Sequence, residues 1–251
     1  MFHDDDTHYQ EGDQFMINTP LPIVPQDSTD PKEVFATALA RAVELPPRLA
    51  TVMTEIETVA NNEGIPVIGR LEGTIVQTLA TLRGERATRV LELGTAIGYS
   101  ALWLAHALPE GGKVTSIELD PERAARAADF IDRAGFADRV EIIVGDVFEL
   151  LPNLGVYDLI FQDVMKHRYF GGDPALATEL LRLTKSHLEA DGVLMIDNAF
   201  CGGGVVAGDI GEPSNELAGV RRMNEVLASD PDFASVIVPV RDGLWVAHRK
   251  S

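Results

Sequence analysis

The chain has 251 residues, 45% of them hydrophobic, which suits one large domain with a buried core and excludes collagen-like, coiled-coil and disordered classes. Thirty-nine acidic residues against 21 basic ones give a formal charge of -18, which repels phosphate backbones and anionic membranes and makes nucleic acid or a membrane a poor partner. The single cysteine, Cys201, excludes an internal disulfide and a thiolate metal cluster, and it fits a reducing compartment, so a cytoplasmic location is expected.

Residues 1–30 are acidic and broken by Pro20, Pro22 and Pro25, and they read as an extended arm. They contain no basic region followed by an apolar run, so no secretory signal is expected. No apolar stretch reaches the roughly 20 residues needed to cross a bilayer. A helix is expected from Pro31 to Glu44, with Asp30 as its cap and Pro31 in its first turn. Pro46 and Pro47 interrupt it, and a second helical pattern runs from Arg48 to Asn61, making 31–63 a helical extension. A third helix, Gly73 to Leu82, places Ile75, Leu79 and Leu82 on one side.

From residue 87 the pattern changes. ATRVLELG is a short buried-strand run, YSALWLAHAL an amphipathic helix and GKVTSIELD a second strand, followed by the helix PERAARAADFIDRAG. RVEIIVGD, YDLIFQDV and GVLMIDN continue the strands, and FASVIVPV with GLWVAHR suggests a final antiparallel pair. Alternating strands and helices predict an α/β domain over 64–251, a Rossmann-like sheet covered on both faces. Ligands of such sheets bind beyond the C-terminal ends of the strands. Glu92, Glu118, Asp146, Asp163, Asp197 and Asn198 all fall there.

The turn VLELGTAIGYS carries Gly94 and Gly98, which permit a tight strand-to-helix connection or close approach of a ligand to the backbone. Alone it is equally an ordinary turn. Glu118, 24 positions after Gly94, ends the second strand, where a carboxylate accepts hydrogen bonds from ribose hydroxyls. Asp120 is read as the cap of the helix opened by Pro121. The first turn does not reproduce GxGxxG, and Glu92 is awkward beside a pyrophosphate. An acidic loop suits a cofactor with an ammonium and a sulfonium, which favours S-adenosylmethionine over a nicotinamide.

Asp163, Asp197 and Asn198 finish adjacent strands. Two carboxylates and an amide oxygen are hard donors suited to a six-coordinate divalent ion, or else they are helix caps and hydrogen-bonded strand ends. They do not make a tetrahedral zinc signature.

In the order VLELGTAIGYSALWLAHALP, GKVTSIELDP, YDLIFQDVMKHRY, GVLMIDN and GLWVAHRK, the chain resembles the metal-dependent class I O-methyltransferases related to catechol and caffeoyl-coenzyme A O-methyltransferases. The resemblance spans roughly residues 64–250. It implies a seven-stranded, mostly parallel sheet with helices on both faces and a final antiparallel strand. It also implies methyl transfer from S-adenosylmethionine to a small phenolic or catechol-like acceptor, assisted by Mg2+, with Ca2+ or Mn2+ as other candidates, in a homodimer. By that resemblance Glu92, Gly94 and Ser100 surround the methionine part, with Ile68 beside it, and Glu118 binds the ribose. Asp146 and Val147 lie near the adenine. Asp163, Asp197 and Asn198 match the cation ligands, Asp163 also lying near the methionine part. Lys166 matches the catalytic base, against its reading as a solvated lysine.

There is a departure: many relatives read DADK where this chain reads DVMK. Met165 keeps an apolar body that can pack against adenine or simply inside the core. Residues 199–216, rich in helix breakers, read as a lid over the acceptor or a surface loop. Two other functions stand against this one: a non-catalytic cofactor-binding or scaffold protein, and a nicotinamide-dependent oxidoreductase, which lacks its glycine pattern here.

Overall fold

The computed structural model describes residues 30–207 and 213–251. The expected arm up to residue 29 and the centre of the expected lid, 208–212, lie outside the described residues. Helix α1 (Pro31–Arg41) starts as its sequence dictates, with Asp30 accepting from the Lys32 N–H and Pro31 in its first turn. It ends at Arg41, three residues before the expected Glu44. Helix α2 (Pro47–Glu63) closes on Gly64 in the left-handed conformation, and α3 (Gly69–Leu82) begins four residues earlier than its periodicity indicates.

The sheet then assembles as β1 (Arg89–Leu93), α4 (Tyr99–Ala107), β2 (Lys113–Glu118), α5 (Pro121–Ala134) and β3 (Val140–Val144). The short helix α6 (Val147–Leu150) leads to β4 (Tyr157–Gln162), α7 (Lys166–Phe170) and α8 (Ala175–Ser186). They are followed by β5 (Leu188–Ile196), α9 (Asn215–Ser229), β6 (Phe233–Val238) and β7 (Leu244–Arg249). The seven strands lie in the order β3-β2-β1-β4-β5-β7-β6; the first five are parallel, and β7 runs antiparallel to both β5 and β6. This is the Rossmann-like architecture expected for class I methyltransferases.

Strand alternation divides the interior into two cores. Val90, Leu159, Phe161, Val193 and Met195 meet α2 to α5 on one face. Leu91, Leu93, Ile160, Leu194 and Ile196 meet α6 to α9 on the other. The chain leaves β1 toward β2 and β3, then returns to its other side as β4. The C-terminal ends of β1 and β4 therefore form the switch point at which open sheets of this kind receive ligands. No helix among the described residues is long and apolar enough to cross a membrane.

Candidate active site

Two strand ends meet at the switch point with almost no space between them. Gly94 has φ +103°, and a Cβ on it would stand 2.1 Å from the Asp163 carbonyl oxygen. Its N–H donates to the Ile117 carbonyl, and the Asp163 N–H donates to the Leu93 carbonyl. The glycine is thus required by the neighbouring strand end, whatever else it admits. Gly98, at φ +89°, opens α4 over Ala127 and Ile131.

Above these ends lies a cavity of about 570 Å³. It brings together Ile68, Gly94, Ser100, Glu118, Val147, Asp163, Met165, Lys166, Asp197 and Asn198, ten of the twelve residues singled out from sequence. The other two sit behind it. Asp146 caps α6 by accepting from the Phe148 N–H, while its neighbour Val147 faces the cavity. Glu92 is fully buried below the turn, where the Ser116 hydroxyl donates to Oε2 and Oε1 has no partner. Burial pushes its carboxyl up to about 7, against the Ser100 and Ser116 hydroxyls, which favour the ionised form.

Glu118 is held rigidly. Oε2 accepts from the Ala96 N–H at 2.7 Å and Oε1 from the Asp120 N–H at 3.0 Å, leaving each oxygen a further lone pair for a ligand. Asp120 caps α5, accepting from Glu122 and Arg123 N–H groups. Met165 lines the same end and receives the Arg123 guanidinium at 3.5 Å from its sulfur.

At the opposite end, Lys166 is buried and donates from Nζ to Asn198 Oδ1 at 2.9 Å, with Asp163 Oδ1 at 3.7 Å. Asn198, at φ +58°, returns its amide Nδ2 to Asp197 Oδ2 at 3.0 Å. Burial and the adjacent Asp197 raise the Asp163 carboxyl to about 7, opposed by Lys166 and Arg241. Asp163, Asp197 and Asn198 thus present hard oxygen donors in a site short of compensating positive charge, which fits a divalent cation. No three His, Cys, Asp or Glu side chains converge as a metal-holding group among the described residues. The candidate set has only two carboxylates and takes an amide as its third donor.

Several lining or supporting residues escaped sequence reading. Tyr99 faces the cavity and donates its hydroxyl to Glu57 Oε1 at 2.6 Å; Arg70 Nε meets the same oxygen at 2.7 Å. This joins α2 and α3 to the first turn. Burial and the Glu57 charge push the Tyr99 phenol far above its ordinary value. Glu72, in the first turn of α3, is almost wholly buried, and its carboxyl is raised by burial and by Asp197 and Asp163, with Arg241 opposing. Arg241 and Asp242, from the β6–β7 turn, line the same cavity, and Asp242 accepts from the Gly202 and Gly203 N–H groups. These contacts join separate helices and turns, 13 to 42 positions apart in the hydrogen-bonded pairs, so no local pattern would have found them. One backbone signal does mark the region: Ala96, Asn198, Cys201 and Arg241, four of the five described non-glycine residues with positive φ, all line the cavity.

A family model described as O-methyltransferase matches residues 40–250. A catechol O-methyltransferase from Niastella koreensis is 35% identical over 172 residues, 66% of this chain and 72% of its own. Among solved structures, the O-methyltransferase TomG of Streptomyces achromogenes, in complex with S-adenosylmethionine, is 28% identical with a TM-score of 0.72, covering 91% of this chain and 100% of that one. The O-methyltransferase from Bacillus cereus, in complex with S-adenosylhomocysteine, is 25% identical with a TM-score of 0.71, covering 86% and 97%.

Proposed function

Because the chain belongs to the O-methyltransferase family and is an S-adenosylmethionine-dependent enzyme, we propose that it methylates a hydroxyl of a small phenolic or catechol-like acceptor with the help of a divalent cation, Mg2+ foremost. The observation that carries this reading is the meeting of Asp163, Lys166, Asp197 and Asn198 at one end of the cavity, away from Glu118 and Val147.

In this reading Glu118 takes the ribose hydroxyls with the lone pairs its backbone partners leave open. Gly94, Ser100 and Ile68 flank the methionine part, with Glu92 supplying negative charge for the ammonium from below. Val147 and Met165 bracket the adenine, and Asp146 holds the turn that presents Val147. Asp163, Asp197 and Asn198 would hold the cation. Once bound, S-adenosylmethionine supplies an electrophilic methyl group, and the cation supplies Lewis acidity that favours the ionised phenol.

The remaining work falls to the chain. Lys166 Nζ, confined by burial and by Asn198, takes the proton of the acceptor hydroxyl. Val164, Met165 and Tyr169 keep the cavity wall apolar, and the loops after β4 and β5 fix the hydroxyl in line with the methyl group. The single cysteine fits the cytoplasm as the place of work. Val34, Phe35 and Leu39, exposed on α1, support a homodimer, which sedimentation would test against a monomer.

The deciding experiment follows methyl transfer to a catechol and to its monophenol, with Mg2+ and after chelation, in wild type, Asp163→Asn and Asp197→Asn. Expected are transfer that chelation abolishes and weakened Mg2+ affinity in both variants. Full transfer after chelation removes the cation from the mechanism. Retained S-adenosylhomocysteine binding with no transfer to any phenol removes the acceptor class.

A further inference from the structure

Glu72 is a buried acid beside the site to which the reaction gives no task. It stands in the first turn of α3 with 1% of its surface exposed, and neither carboxylate oxygen receives a hydrogen bond. Its nearest positive charge is Arg241 Nε at 4.0 Å, and its other charged neighbours are Asp197 and Asp163. An unpartnered buried carboxylate is costly, and such groups in folded proteins usually mark an ion, a water or a catalytic task. At 4.0 Å the Arg241 Nε is an ion-pair partner beyond hydrogen-bonding reach, so both Glu72 oxygens are left without a donor.

Asp163, Asp197 and Asn198 line the cavity, whereas Glu72 is buried outside its lining, which is the place of a supporting side chain and not of a direct ligand. It lies behind Asp197, where a carboxylate can orient a ligand side chain and add negative field to it. Partners of this kind typically change metal affinity by about 10–100-fold. We propose that Glu72 is a positioning residue of the cation site, acting through Asp197 to make the site hold a divalent cation more tightly. The proposal rests on the cation reading above.

The competing explanation, a structural ion pair with Arg241, predicts the opposite sign in one measurement. If Glu72 serves the cation, Glu72→Gln replaces a buried acid that no hydrogen bond satisfies, so the cation-free protein keeps or raises its melting temperature. A structural pair would make the same variant less stable without cation.

The experiment uses the full chain and Mn2+ as the probe, with binding read by paramagnetic resonance and by the Mn2+-induced shift in melting temperature. Glu72→Gln is expected to bind Mn2+ about 10–100-fold more weakly, with a smaller thermal shift and unchanged S-adenosylhomocysteine affinity. Glu72→Asp, which keeps the charge on a shorter arm, should fall between the two and decides the matter if the glutamine variant does not fold. Wild-type Mn2+ affinity in the variants, or a cation-free loss of stability that accounts for the weaker binding, overturns the proposal. If Asp163→Asn loses Mn2+ while Glu72→Gln does not, Glu72 alone is dismissed. If the wild type binds no Mn2+, the cation reading fails and takes this proposal with it.

Discussion

Lys166 shows how much one residue's burial decides. Only 4% of it is exposed, so its amine has no freedom to wander and is spent on Asn198 and Asp163. Lys166→Ala is expected to slow the chemical step by about 10²–10⁴-fold while leaving S-adenosylhomocysteine affinity intact. Single-turnover transfer to phenols of graded acidity checks this, because acceptors already ionised should lose least. A uniform small loss would reduce Lys166 to a positioning role. Glu92 makes a second prediction at this scale. Its folded value near 7 lies above the ordinary 4.5, so between those values the folded chain keeps a proton that the unfolded chain releases. The stability this confers is complete below about 4.5 and is lost as pH rises through 7, a swing of up to about 3 kcal/mol. In cofactor-free protein, Glu92→Gln should flatten the decline of urea stability between pH 5 and 8. Parallel curves for variant and wild type would assign the decline to other groups.

At the level of elements, the turn after β1 depends on a close approach between backbones. A methyl group on Gly94 would meet the Asp163 carbonyl and would also have to accept φ +103°. Gly94→Ala should therefore cost about 2 kcal/mol or more and weaken cofactor binding together with folding. Urea midpoints and S-adenosylhomocysteine titration on the same preparation test the coupling; a stable variant that has only lost the cofactor would place the glycine's role in ligand contact alone. The strand–helix alternation from β1 to β3 was legible because each strand is apolar and short, and each helix is announced by a glycine turn or a capping acid. Asp120 before Pro121 is the clearest case. Helix α8 was missed although Ala177, Leu180, Leu181 and Thr184 carry a helical buried stripe. The early part of β5 was missed for a physical reason: LEADG is polar, holds Asp191 at φ +66°, and shifts register against β4. Of the candidate site, the strand-end acids were visible because their place follows from the strands. Glu57, Arg70, Glu72 and Arg241 were not, since only helix packing and the β6–β7 turn bring them in.

For the whole molecule, the formal charge of -18 matters more than any surface pair. The pairs Arg126–Glu63, Arg133–Glu55 and Arg86–Asp191 are largely exposed and contribute little each, whereas net repulsion acts throughout the folded chain. Raising NaCl from about 20 to 200 mM, which shortens the screening length severalfold, should raise the melting temperature by a few degrees. A fall instead would mean that ion pairs outweigh repulsion. A different consequence follows from the hydrogen bond between the Arg241 N–H and Glu33, which spans 208 positions and joins the first described helix to the last turn. During synthesis the chain emerges from its N-terminus. Everything up to Asn198, including the turn after β1 and Lys166, leaves the ribosome before the cavity has its last wall. Until β7 follows, β5 presents an open edge with unpaired backbone groups, the kind that recruits other strands. Translation halted within the final strands would thus release a sticky half-sheet that already carries most of the cavity lining, and the burden would fall on chaperones before any question of catalysis arose.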